Sequence, residues 1–69
     1  MEYIKLKKKL KEEKITYDML SKEIGISKMS FHRKMNGTSD WLLEETKKIS
    51  KKLKLNIYEY LDYFNIFFD

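Results

Sequence analysis

The chain contains no proline and only two glycines, Gly25 and Gly37, in 69 residues. Proline and glycine mark the many tight turns of β-sandwiches and barrels, so their scarcity argues against an all-β fold. Each glycine instead follows a segment of helical periodicity, where a residue that tolerates positive φ commonly ends a helix. The chain is therefore predicted to form short helices within one small domain.

Apolar residues recur at helical spacing along most of the chain. This periodicity predicts helices over about residues 3–13, 17–24, 28–35, 42–53 and 57–63. Thr16 and Ser27 precede the second and third helices, where a side-chain oxygen can cap the first N–H groups. The inward positions of the last two helices are predicted to be Leu42, Thr46, Ile49 and Leu53, then Ile57, Leu61 and Phe64. The predicted fold class is all-α, a compact bundle of four to five short helices.

Charge is distributed unevenly. Residues 1–34 contain ten basic and five acidic residues, a net charge of +5, whereas residues 35–69 contain five basic and six acidic, a net charge of −1. The last fifteen residues have no Lys or Arg but hold six of the ten aromatic residues. This polarity predicts an N-terminal surface for a polyanion and a C-terminal surface for packing. Lysines that are simply exposed to solvent on helix surfaces give the same charge distribution. The charge distribution alone therefore does not show whether the chain binds a polyanion.

Several function classes find no support in the sequence. The chain has no cysteine and one histidine, His32, so it lacks the ligands of a zinc site and we predict no metal. No catalytic constellation or phosphate-binding loop is present, which predicts no enzyme, no cofactor and no small-molecule substrate. Apolar runs are too short for a transmembrane helix, and an acidic aromatic tail is unsuited to anionic lipid. We expect a cytoplasmic protein with no membrane partner.

Residues 16–37 have the layout of a helix-turn-helix, in which two short helices cross steeply over a tight turn. Gly25 supplies the turn, and Ser21 is a small residue where the helices approach. The predicted helix-turn-helix core comprises Leu20, Ser21, Ile24, Gly25, Ile26 and Phe31.

On these residues the chain resembles the phage-repressor and Cro-like helix-turn-helix superfamily, also called the XRE family. The resemblance also includes Ser27, Asn36-Gly37 and Trp41, and it covers about residues 3–64. It implies a lambda-repressor-like, five-helix DNA-binding domain that works as a dimer on a near-palindromic operator. Two positions depart from the family pattern. Ser21 stands where alanine is usual, and Lys34 stands where many relatives keep an apolar residue, which suggests a rotated or longer third helix.

In that family the third helix lies in the major groove and its outward residues reach base edges. The resemblance assigns base contacts to Lys28, Met29, His32 and Arg33. Arg33 is the strongest base reader among them, because a guanidinium forks onto guanine O6 and N7. Phosphate contacts are assigned to Thr16, Tyr17, Ser27, Ser30, Lys34, Asn36 and Thr38.

Structural alternatives exist for several of these residues. His32 is either a DNA contact or a solvated surface residue. Met29 either contacts a thymine methyl or fills space in the packing of the domain. Trp41 is predicted to be a core or edge anchor that packs on the fourth helix. Acidic residues at the start of that helix are explained by capping.

The C-terminal region contains more apolar residues than one face of a short helix can bury. We divide the chain into a DNA-binding domain, residues 1–64, and an aromatic tail, residues 65–69. The candidate dimer interface consists of Tyr60, Tyr63, Phe64, Phe67 and Phe68. The alternative is that this region completes the core of the monomer.

The resemblance therefore implies a sequence-specific regulator of transcription that binds double-stranded DNA. It suggests a phage or prophage repressor or Cro-like protein that occludes a promoter as a homodimer. The alternative is a protein-binding module of the same fold, an antirepressor or an inhibitor of a host protein. An acidic third helix would favour that alternative, but the predicted third helix carries Lys28, Arg33 and Lys34.

Overall fold

The computed structural model describes residues 3–66, which fold into five α-helices with no strand among them. The helices are α1 (Ile4–Glu12), α2 (Tyr17–Ile24), α3 (Lys28–Met35), α4 (Leu43–Leu53) and α5 (Ile57–Tyr63). The all-α bundle with a central helix-turn-helix is confirmed, and every helix end lies within one residue of its predicted position.

Local capping explains why α2 and α3 begin and end where they do. The Thr16 hydroxyl accepts the N–H of Met19 at 3.1 Å, and the Ser27 hydroxyl accepts the N–H of Ser30 at 3.0 Å. Each bond satisfies an N–H that has no partner within its helix. Gly25 ends α2 with a φ of 81°, a left-handed conformation in which a side chain would be strained.

The core is formed by apolar side chains from α1 to α4 and by Phe64, which follows α5 directly. Its buried members are Leu6, Leu10, Leu20, Ile24, Phe31, Met35, Ile49, Leu53 and Phe64. Leu42 and Ile57, which the periodicity placed inward, are exposed instead. Leu42 precedes α4 in an extended conformation, and the inward position of the first turn belongs to Glu45. Ile57 is the first residue of α5, one turn before the helix meets the core.

Aromatic rings close the core beside Trp41. Its ring lies edge-on to Phe31 at 5.3 Å and to Phe64 at 5.9 Å between centroids, with Tyr3 at 6.3 Å. Trp41 is thus a core anchor, and these ring contacts join α3 to Tyr3 and Phe64. Burial, and secondarily the negative charge of Asp40, raises the pKa of the Tyr3 phenol, which stays neutral at physiological pH.

At the end of α5, one residue of the predicted dimer interface is buried inside the monomer. Phe64 is buried in the core of its own chain, so it is not available to a second copy. Tyr60 is half-buried and its hydroxyl hydrogen-bonds that of Thr46 at 2.7 Å. Within the tail, Ile66 packs against the core, while the predicted interface residues Phe67 and Phe68 lie outside the described residues.

None of the helices in the described part of the chain is long and apolar enough to cross a bilayer, since even α4 has only 11 residues. Residues 3–66 also contain no group of three or more acidic or histidine side chains arranged to hold a metal ion.

Candidate nucleic-acid interface

The turn between α2 and α3 is built around Ser21 and Gly25. The carbonyl of Ser21 accepts the N–H groups of Gly25 at 2.9 Å and Ile26 at 3.0 Å, which closes the end of α2. Leu20, Ile24 and Phe31 are buried on the two helices, and Ile26 packs against them half-buried. The predicted helix-turn-helix core residues therefore lie together and set the angle at which α3 leaves the turn.

Ser21 is fully enclosed at the crossing of α2 with its neighbours. Its hydroxyl donates to the backbone carbonyl of Asp18 at 2.9 Å, so no polar group is left unsatisfied there. A serine is therefore accommodated at the position where the family usually has alanine.

The outward face of α3 carries the four predicted base contacts. Phe31 and Met35 point into the core, and this fixes the rotation of the helix. The exposed residues on the other side are Lys28, Met29, His32 and Arg33. Met29 is 64% exposed, so it does not fill the core. The arrangement presents two cations, an imidazole and a flexible apolar side chain on one surface, which we call the α3 face.

The two cations of the α3 face have no acidic partner in the part of the chain that the structure describes. Neither Lys28 nor Arg33 forms an ion pair with an acidic side chain of residues 3–66, whereas the nearby Lys22 pairs with Asp18 at 3.3 Å. Their charges therefore face solvent, where an approaching phosphate or base edge can meet them.

His32 is held against the start of α2. Its ring lies edge-on to the ring of Tyr17, with 4.7 Å between centroids, and Tyr17 also packs on Phe31 at 5.0 Å. These contacts orient the imidazole while leaving it exposed, so His32 is a surface residue whose position is defined by packing.

The predicted phosphate contacts differ in their accessibility. Thr16, Ser27, Asn36 and Thr38 are exposed, and Tyr17 and Ser30 are half-buried. Several hydroxyls already serve local structure: Ser27 donates to the Ser30 hydroxyl at 3.0 Å, and Thr38 donates to the carbonyl of Arg33 at 3.0 Å. Ser27 and Ser30 lie at the start of α3, and Asn36 and Thr38 follow its end.

The structure does not leave Lys34 exposed for the predicted phosphate contact. Lys34 is only 9% exposed, and its ammonium pairs with the carboxylate of Glu45 inside the domain. The physical reason is its place on the helix, since it follows Phe31 by three residues and therefore shares the inward face. That spacing was the available signal, and the acidic residue at the third position of α4 was its missed partner.

The family model described as Cro/C1-type HTH DNA-binding domain matches residues 5–65. No curated protein and no solved structure matches the chain. The matched range contains α2, α3 and α4 entirely, so it includes the turn, the α3 face and the helix that supports them.

Proposed function

The chain belongs to the family of Cro/C1-type helix-turn-helix DNA-binding domains, and we propose that it is a sequence-specific regulator of transcription. In this proposal α3 enters the major groove of double-stranded DNA and the α3 face reads base edges. The observation that carries the proposal is the exposure of two cations, Lys28 and Arg33, which form no ion pair within residues 3–66 and lie on the side of a helix opposite its buried side.

Each residue of the α3 face has a distinct chemical role in this proposal. Arg33 donates two hydrogen bonds to guanine, and Lys28 contacts either guanine or a phosphate. The exposed thioether chain of Met29 packs on a thymine methyl, and His32 contacts the edge of the groove beside Tyr17. Thr16, the exposed N-cap residue of α2, faces the phosphate backbone.

We further propose that two copies bind a near-palindromic operator and occlude a promoter, as a phage or prophage repressor does in the bacterial cytoplasm. Ile57 and Tyr58 support self-association, because these two apolar side chains of α5 are 60% and 80% exposed. A two-fold dimer would place the two copies of α3 about 34–36 Å apart, one turn of the duplex.

Binding to random-sequence duplex DNA is expected to weaken steeply with salt. If Lys28 and Arg33 of two copies displace one counterion each, the slope of log K against log salt is about −3.6. Raising monovalent salt from about 50 to 200 mM then weakens binding about a hundredfold, measured by fluorescence anisotropy. Absence of binding at the lower salt would contradict the proposal and favour the protein-binding alternative.

Replacing Arg33 with alanine is expected to weaken binding to the operator, selected from a random DNA pool, by about 1–3 kcal/mol for each half-site. Preference at one base pair of each half-site should relax, because that guanine loses its bidentate partner. Lys11→Ala is the matched control, since it removes one exposed positive charge from α1. Competition binding with single-base operator variants measures both effects, and unchanged discrimination by Arg33→Ala would show that Arg33 is not a base reader.

A further inference from the structure

DNA contact leaves one charged cluster unexplained, on the inward side of α3. Lys34 pairs there with Glu45, which is only 7% exposed and lies in the first turn of α4. The same oxygen of Glu45, Oε1, also accepts the backbone N–H of Leu42 at 3.0 Å. The ammonium of Lys34 lies 5.8 Å from the centre of the Trp41 ring. A single carboxylate oxygen thus joins the end of α3 to the start of α4.

The Lys34–Glu45 pair is not expected to add much to the stability of the domain compared with apolar residues in its place. Removing two charges from water is costly, and well-packed apolar residues of similar size are often as stable or more so. The best-attested use of a buried polar pair is to select one arrangement among several that apolar packing alone would allow. A Lys–Glu pair is directional because its hydrogen bond needs both atoms in place, whereas apolar contacts are not.

The recognition helix needs such a constraint. It is only eight residues long and packs mainly against α2. Residues 36–42 connect it to α4, and this connection includes Gly37 at a φ of 80°. The backbone bond from the Tyr3 N–H to the Met35 carbonyl, which also holds this end of α3, is long at 3.4 Å. The Lys34–Glu45 pair is therefore the short polar link between α3 and α4.

We propose that Lys34 and Glu45 are positioning residues that fix the orientation of α3 relative to α4 and thereby set sequence discrimination. This inference rests on the proposed function, because it concerns the same DNA-binding face. Neither residue touches a base in this account. Their loss changes how accurately the α3 face meets base edges, while the exposed charges that attract any duplex stay in place.

The test compares two charge-neutral double variants of the full chain. Lys34→Met with Glu45→Gln removes the buried pair but keeps side-chain length and the Oε1 acceptor for Leu42. The control is Lys5→Met with Asp62→Asn. It removes an exposed ion pair between α1 and α5, in which Lys5 Nζ lies 2.8 Å from Asp62 Oδ2. Binding to the selected operator should fall about tenfold, the equivalent of one lost base contact, only in the first variant. Binding to random duplex should stay within about twofold of wild type in both, because exposed charge carries it.

A second measurement does not use DNA. Residual dipolar couplings of backbone amides report the angle of α3 relative to α2 and α4 in wild type and in both variants. We expect α3 to stay helical and to change its orientation relative to α4 only when Lys34 and Glu45 are replaced.

Three results would contradict the proposed function or the positioning role. A wild-type protein that does not distinguish operator from random DNA overturns the proposed function, and the dipolar couplings still decide whether the pair positions α3. A folded Lys34→Met, Glu45→Gln variant with unchanged α3 angle and unchanged discrimination overturns the positioning role. If that variant does not fold while the control does, the pair is a stability element and the inference is equally overturned.

Discussion

Replacing Phe31 with alanine is expected to destabilise the domain by about 3–5 kcal/mol. Phe31 is fully buried, and its ring packs against those of Tyr17 and Trp41 at 5.0 and 5.3 Å between centroids. Truncation forfeits the transfer free energy of the ring and leaves a cavity between α2, α3 and the Trp41 cluster. A domain of this length has a total stability of about 3–10 kcal/mol, so the variant should be partly unfolded even without denaturant.

Urea unfolding followed by circular dichroism measures the loss in the free energy of unfolding. Two further variants, for which smaller losses are expected, serve as comparisons. Phe31→Leu keeps most of the volume and should cost less than about 1.5 kcal/mol. Ile4→Ala removes a side chain that is 69% exposed and lies outside the proposed dimer surface, so it should change stability by less than about 0.5 kcal/mol. If Phe31→Ala were as mild as Ile4→Ala, Phe31 would not be a core residue, and the outward direction of the α3 face would be wrong with it.

The helix boundaries could be predicted because their determinants are local. Thr16 and Ser27 cap N–H groups three residues ahead of them, and Gly25 adopts its left-handed conformation whatever packs nearby. Such signals lie within a few residues of the feature they specify. The rotation of α3 was predictable for the same reason, since the helical spacing of Phe31 and Met35 marks its buried side and leaves the opposite side exposed.

The burial of Lys34 was not predicted, and Phe64 was predicted both to face inward and to meet a second copy, because both positions depend on distant partners. A lysine is ordinarily exposed, and only Glu45, 11 residues further along, makes burial of Lys34 tolerable. Phe64 packs inward because the Trp41 and Tyr3 rings leave a place for it. Amino-acid type and periodicity alone do not show whether an aromatic residue fills its own core or meets a second copy. The burial of Lys34 and the inward packing of Phe64 both depend on tertiary contacts.

Lys34→Met by itself is expected to destabilise the domain by about 3–5 kcal/mol, because the Glu45 carboxylate is left buried without its cation. The apolar stem of lysine is retained by methionine, so lost packing contributes little. Lys5→Met breaks an ion pair in which both side chains are more than half exposed and should cost only about 0–1 kcal/mol. Urea unfolding of the two single variants compares a buried with an exposed pair in the same protein.

Adding Glu45→Gln to Lys34→Met should recover most of the lost stability, because the uncompensated charge disappears while the hydrogen bond to Leu42 is kept. The four proteins of this double-mutant cycle therefore separate the penalty of an unpaired charge from the net contribution of the pair. A Lys34→Met variant that lost less than about 1 kcal/mol would behave as an exposed pair does. Lys34 would then be solvated, and its ammonium would return to the set of groups available to phosphate.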